Sequence, residues 1–258
     1  MPRLLAFTLS LLVACGPGCT RKDDDGGPGV AVPAPEAIEM RFTGDRRRII
    51  KAGDLRPTTE LAFLKSEDGK ANWYAIGPVE GLQGEVTIYD GRPSIATVGE
   101  DGEPVVEETF DRQAIFLAAG RTPEWVAVPV SEPVGSLEEL EAFVGAAAEE
   151  AGLDTARPLM FRVEATPPKL VYHIIWKTGD APHDHDEHKK SKVKFSLAGE
   201  PVRIVGLWID EARVGAFTHP GKRTHLHFQT EENTTSGHID ALELPDEWTL
   251  YLPKAFGT

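Results

Sequence analysis

Apolar and polar residues alternate in short runs along the first half of the chain, and turn residues separate the runs. This alternation is typical of strands with one buried face. It predicts strands at 73–76, 84–89, 114–118 and 125–130. Asp90-Gly91 follows the second run and is a strong signal for a hairpin turn.

One segment has helical spacing instead. Ser136 and Glu139 form a capping box at its start, and Gly152 is placed to end it. The apolar residues that recur on one face of this predicted helix are Leu137, Leu140, Phe143 and Val144.

The second half of the chain again predicts mainly strands. They are expected at 159–165, 170–176, 193–197, 201–209 and 250–252, with a polar loop at 177–190. Many strands and one clear helix indicate an α+β fold. We predict a single domain over 38–258, made of two strand-rich halves (38–155 and 156–258) with mixed or antiparallel sheets and few helices.

The first 37 residues are predicted to lie outside this domain. Residues 4–14 form an apolar run that is too short to span a bilayer as a helix. The run ends in Leu12-Val13-Ala14-Cys15, which resembles the lipobox of bacterial lipoproteins. We expect residues 1–14 to be a signal peptide and Cys15 to be lipidated, which would anchor the protein in the cell envelope, with the outer membrane or periplasm preferred. An ordinary cleaved signal peptide is the alternative.

The composition of the chain limits its partners. Residues 15–37 are rich in Asp, Gly and Pro, as expected of a flexible tether. The net charge of −14 argues against nucleic-acid binding, which relies on Lys and Arg. Besides Cys15 the chain has only Cys19, so lipidation leaves no intrachain disulfide and no thiolate zinc site. Any metal must be held by histidines and carboxylates.

All eight histidines lie between residues 173 and 238. His225 and His227 alternate with apolar residues, so a strand would place both imidazoles on one face. After the polar connection 229–237, a return strand would bring His238 beside them. We predict that these three histidines bind a divalent metal, most naturally zinc with an open coordination position. Hydrogen-bonded histidines without a metal are the alternative.

Four segments resemble the α-acetolactate decarboxylase family. Thr224–Phe228 (THLHF) and Ser236–Asp240 (SGHID) are similar to its zinc-binding block, and 81–86 (GLQGEV) to its Leu-Asp-Gly-Glu segment. Residues 204–208 resemble the strand before the block. A first cupin motif also fits His225 and His227, but the 20 residues after His238 contain no histidine for the second motif.

This resemblance, which covers roughly residues 72–252, implies a function. The family decarboxylates a 2-hydroxy-3-keto acid to a hydroxyketone, so the expected partner is a small-molecule substrate. Glu85 would be a metal ligand or a proton-handling group. The family also places an arginine after its mid-chain strands, where this chain has His173; neither Arg162 nor Arg203 matches that motif. His173 is therefore a candidate for stabilising charge, or else a hydrogen-bonded core histidine.

Other histidines leave alternatives open. His183, His185 and His188 could form a metal-loading loop, or the loop is simply solvated and charged. His219 could line the pocket or contact the metal ligands from behind. The alternative is that it is a turn residue without a functional role. A zinc-scavenging envelope lipoprotein and a metal-dependent hydrolase remain alternative functions. The oligomeric state is left open.

Overall fold

Two antiparallel β-sheets make up most of the structure. The structure is a computed structural model that describes residues 38–179 and 182–254. These residues belong to one compact unit. The predicted signal peptide, Cys15 and most of the tether lie outside the described residues.

The described residues form sixteen strands and three α-helices. The strands are β1 Glu39–Thr43, β2 Thr59–Glu60, β3 Tyr74–Pro78, β4 Glu85–Tyr89, β5 Arg92–Val98, β6 Pro104–Glu107, β7 Gln113–Ala114, β8 Leu117–Arg121, β9 Trp125–Val130, β10 Leu159–Ala165, β11 Lys169–Ile175, β12 Lys192–Leu197, β13 Val202–Trp208, β14 Thr224–Thr230, β15 Ser236–Glu243 and β16 Trp248–Pro253. The helices are α1 Arg46–Ala52, α2 Leu137–Glu150 and α3 His185–Lys190.

The strands form three sheets. The order is β1-β8-β3-β4-β5-β6 in the first sheet and β12-β11-β15-β14-β13-β10-β16-β9 in the second, and β2 pairs with β7. Every strand pair within the described ranges is antiparallel. Strand β9 precedes the predicted division at residue 155 but pairs with β16 in the second sheet. The predicted strand-rich α+β fold with few helices is confirmed.

The hairpin between β4 and β5 turns where the sequence predicted. Asp90 and Gly91 have φ values of 53° and 74°, the left-handed pair that a tight hairpin turn with right-handed strand twist requires. Asn72 Nδ2 donates a hydrogen bond to Asp90 Oδ1 at 3.2 Å, which holds the aspartate in place.

Helix α2 also forms as predicted. The Glu139 N–H donates to Ser136 Oγ at 3.2 Å, and Glu139 Oε2 accepts from the Gly135 N–H at 2.8 Å. Leu140 and Val144 are fully buried in the core beneath the second sheet. No helix within the described residues is long and apolar enough to span a membrane.

Two local predictions differ from the structure, and one helix was not predicted. The segment 177–190 is not wholly a loop, because Asp184 accepts from the Asp186 and Glu187 N–H groups and so caps α3. The predicted strand 114–118 is divided between the end of β7 and the start of β8. Helix α1 was not predicted, because only Ile49 of its seven residues is buried and no apolar periodicity marks it.

The two large sheets pack against each other through β4. All five residues of β4 are buried, and this strand contacts β13, β14 and β15 of the second sheet. All seven residues of β14 are buried as well. The first residue of β4 therefore lies against the histidine-bearing strands of the other sheet.

Candidate metal centre

Three histidines converge between the sheets. The register places His227 directly opposite His238, and His225 lies on the same face of β14 as His227. His225 Nε2 lies 2.9 Å from His238 Nδ1 and 3.2 Å from His227 Nε2. The predicted trio is thus brought together and is buried.

The outer contact of His225 fixes its tautomer. His225 Nδ1 lies 2.7 Å from the Phe217 carbonyl oxygen, and His227 Nδ1 lies 3.2 Å from the Thr87 hydroxyl. A carbonyl can only accept, so His225 Nδ1 carries the proton and His225 Nε2 carries a lone pair. That lone pair faces His238 Nδ1 and His227 Nε2, so the inner nitrogens of the trio lie where they could hold a metal ion.

The protonation state of the trio suits metal binding. Burial lowers the pKa of His225 to about 3 and lowers the pKa values of His227 and His238 as well, so all three are neutral. Neutral imidazoles are the form that binds metal. Nitrogen ligands about 2.0–2.1 Å from a tetrahedral zinc ion lie roughly 3.3 Å apart, close to the spacing found here. The donor set therefore fits zinc.

Glu85 approaches this centre from the other sheet. It is buried, and its Oε1 accepts from the Ile175 N–H at 3.2 Å. Its Oε2 lies 3.8 Å from His227 Nε2. Burial raises the pKa of Glu85 to about 8. Gly84 makes this approach possible, because its φ is 136° and a Cβ there would lie 2.5 Å from the Ala96 carbonyl oxygen.

His173 extends the row of histidines across a third strand. The register of β11 places it opposite His238. Its Nε2 lies 3.8 Å from Glu85 Oε1, and its Nδ1 lies 3.0 Å from Asp240 Oδ1. Burial is the largest cause of its lowered pKa. His173, His238 and Asp240 also form a second group that could hold a metal ion, sharing His238 with the first.

A cavity of about 50 Å³ lies over these residues. Both sheets, α1 and α3 contribute to its walls. Its polar lining consists of Arg46, Glu85, His173, Thr218, His188, Lys192, His219, His225 and His238. The metal-binding and catalytic candidates proposed from the sequence therefore lie around one cavity, with His227 directly behind its wall.

Two charged residues of the cavity wall were not predicted. Arg46 and Lys192 come from α1 and the start of β12. His188, from α3, was considered only as part of a metal-loading loop. Arg46 Nη2 lies 3.4 Å from Nδ1 of His219, whose pKa burial lowers to about 4. The run Arg46-Arg47-Arg48 was the available signal, but nothing in it indicates which arginine faces inward.

The arginines considered from the sequence lie elsewhere. The Arg162 guanidinium carbon lies 4.2 Å from the centre of the Tyr251 ring and 4.7 Å from that of Trp125. Arg203 pairs with Glu231 at 3.2 Å. Neither lines the cavity.

The histidines of 183–188 do not converge as a group. His183 Nε2 lies 3.1 Å from His188 Nδ1, but His185 is exposed. Within residues 38–179 and 182–254, potential metal ligands gather in threes only at the two groups described above. This segment contributes His188 to the cavity wall and no metal site of its own.

Comparison with solved structures identifies the fold. The α-acetolactate decarboxylases from Bacillus subtilis strain 168 and subspecies spizizenii match with TM-scores of 0.66 and 0.67, each at 16% identity over 84% of this chain and 86% of theirs. A Staphylococcus aureus protein of unknown function, described as similar to α-acetolactate decarboxylase, matches at 0.61 and 16% identity, over 83% of this chain and 84% of its own. No protein-family model and no curated protein matches the sequence. The chain therefore has the fold of the α-acetolactate decarboxylases, as its sequence resemblance predicted.

Proposed function

We propose that the protein is a zinc-dependent carboxy-lyase that decarboxylates a 2-hydroxy-3-keto acid to a hydroxyketone. The observation that carries this proposal is the cavity over the histidines. The neutral His225 and His238 line it, His227 lies directly behind its wall, and Glu85 lies on the same wall. The fold is shared with the α-acetolactate decarboxylases, and the substrate class follows theirs.

The chemistry needs a place for negative charge. Loss of CO₂ from a 3-keto acid leaves an electron pair that moves onto the ketone oxygen. A zinc ion held by the three histidines would supply Lewis-acid stabilisation for that oxygen. His225 and His227 keep fixed positions because contacts with the Phe217 carbonyl and the Thr87 hydroxyl orient their rings.

Glu85 is placed to return a proton to the substrate carbon. The Ile175 N–H holds one carboxyl oxygen, while the other points toward His227 and the centre. A carboxyl group fixed in this way can transfer a proton without reorganising. The same position also suits a fourth zinc ligand. The variant Glu85→Gln separates the two roles, since loss of zinc indicates a ligand and loss of turnover alone indicates proton transfer.

His173 lies beside the proposed reacting groups on the neighbouring strand. Asp240 Oδ1 lies 3.0 Å from its Nδ1, and its Nε2 faces Glu85 Oε1 at 3.8 Å. Burial lowers its pKa and so favours the neutral ring, in which a proton on Nδ1 beside Asp240 leaves Nε2 as an acceptor toward the Glu85 carboxyl group. His173 would then position the Glu85 carboxyl group for proton transfer.

The geometry favours a lyase over a zinc-scavenging protein. A scavenger would be expected to bind metal on an open surface near the 183–188 histidines. There only His183 and His188 approach each other, whereas the convergent trio is buried. A metal-dependent hydrolase needs only a metal-activated water, and no particular contact supports it. The lipid anchor and the envelope location stay predictions.

The proposal is tested by acetoin formation from racemic α-acetolactate with the purified full chain. We expect chelation to abolish turnover and zinc to restore it, while His227→Ala stays inactive with either treatment. Tight binding of one zinc per chain with no acetoin from the wild type would contradict the lyase assignment for this substrate.

A further inference from the structure

The three arginines that open helix α1 have different environments. Arg47 pairs with Asp45 and Arg48 pairs with Asp54, each with a nitrogen–oxygen distance of 2.5 Å. Arg46, the first of the three, lines the cavity over the histidines. Within the part of the chain that the structure describes, no carboxylate lies within ion-pair distance of Arg46.

Among the described residues of the cavity wall, none forms an ion pair with Arg46. Its polar neighbour is His219, at 3.4 Å, and burial keeps that histidine neutral. The other cation of the wall, Lys192, lies 3.8 Å from Asp240 and thus already has a carboxylate. Burial lowers the pKa of Arg46, and no neighbouring anion raises it. Arginine nevertheless stays charged at neutral pH.

Local structure holds Arg46 in this place. The Arg46 N–H donates to the Ala216 carbonyl at 2.8 Å, which ties the start of α1 to the segment that carries His219. Gly44 lets the chain enter the helix here, because its φ is 69° and a Cβ would lie 2.4 Å from the Ile115 carbonyl oxygen. The backbone of Arg46 is therefore held beside the cavity before any ligand arrives.

A partly buried cation without a counter-charge is costly unless an anion joins it. The guanidinium offers two parallel N–H donors that match a carboxylate. We propose that Arg46 binds the carboxylate of the substrate, so that the cavity selects small 2-hydroxy acids with a free carboxylate over their uncharged analogues. The substrate class in this inference rests on the proposed function; the anion preference rests on the cavity alone.

The test is calorimetric binding to the zinc-loaded full chain. The probes are 2-hydroxyisobutyrate and its uncharged amide, which have nearly the same shape. We expect the wild type to prefer the carboxylate, and Arg46→Gln to lose about 10- to 100-fold in carboxylate affinity while keeping its affinity for the amide. Arg47→Gln removes the same charge from the outer face of α1 and should change neither affinity.

Two results would overturn the inference: a wild type without preference for the carboxylate, or an Arg46→Gln variant that keeps it. The second result would place the carboxylate on the metal or on Lys192. Arg46→Lys keeps the charge but loses the paired donors. Its affinity for the carboxylate should fall several-fold, and its affinity for the amide should not change. The Arg46→Lys variant is used for the test if Arg46→Gln fails to fold or loses zinc. If the protein prefers the carboxylate through Arg46 but produces no acetoin, the proposed reaction is wrong and the inference about Arg46 still holds.

Discussion

The two sides of the cavity are built from different kinds of structure. The floor consists of β11, β15 and β14, three neighbouring strands whose backbone ladders hold four histidines in register. The rim consists of α1 and α3, helices of seven and six residues that each depend on an aspartate cap. The floor is buried and its histidines are neutral, whereas the rim carries Arg46 and is partly exposed.

This difference separates two tasks. Metal binding needs fixed, uncharged donors, and adjacent strands supply them at a spacing set by the pleat. Ligand recognition needs a charge that is compensated only when the ligand arrives. The first residue of a surface helix, such as Arg46 in α1, can carry such a charge. Changes to the floor should therefore alter zinc affinity, and changes to the rim should alter ligand affinity.

The largest effect is expected from His227→Ala. This removes a fully buried floor ligand, and zinc affinity should fall by more than about 100-fold, because the loss of a supporting partner alone costs about 10- to 100-fold. Metal analysis after dialysis measures the change. His185→Ala removes an exposed histidine as the control, and an equal loss of zinc there would contradict the assignment.

Glu85→Gln should reduce kcat by about 10²- to 10⁴-fold while zinc stays bound, since an amide cannot transfer the proton. Steady-state kinetics and metal analysis on the same sample measure both. If the variant releases its zinc, Glu85 belongs to the floor as a ligand. Unchanged kcat would remove Glu85 from the reaction altogether.

Thr87→Val tests the support behind the floor. The Thr87 hydroxyl lies 3.2 Å from His227 Nδ1 and also accepts from Ser236 Oγ at 3.1 Å. Zinc affinity should fall by about tenfold, the low end of the range for the loss of a partner that supports a metal ligand. Competition with a chromogenic chelator measures it. A loss of zinc affinity as large as that of His227→Ala would mean that the valine disrupts the positions of all the floor histidines.

The smallest effect is expected at the rim. Asp45→Ala removes the cap that accepts from the Arg47 N–H at 2.7 Å, which should cost about 1 kcal/mol locally and leave zinc affinity unchanged. Hydrogen exchange of the α1 amides should become faster. Asp45→Asn keeps a capping side chain without the charge and should exchange like the wild type. Reduced zinc affinity in Asp45→Ala would contradict the separation of the two sides.

The floor could be predicted from the sequence because its information is local. Period two places His225 and His227 on one face, and the polar connection 229–237 predicts an antiparallel return to His238. The rim could not be predicted in this way. Helix α1 buries only Ile49, and the inward direction of Arg46 depends on Ala216 and the entry turn at Gly44. Such contacts between distant segments leave no periodic pattern.

The most direct test of the central claim is a metal titration of the apo-protein, following acetoin release from α-acetolactate. The account predicts that turnover rises in proportion to added zinc and stops rising at one ion per chain. Turnover by the metal-free protein, or a fully loaded protein that releases no acetoin, would contradict it.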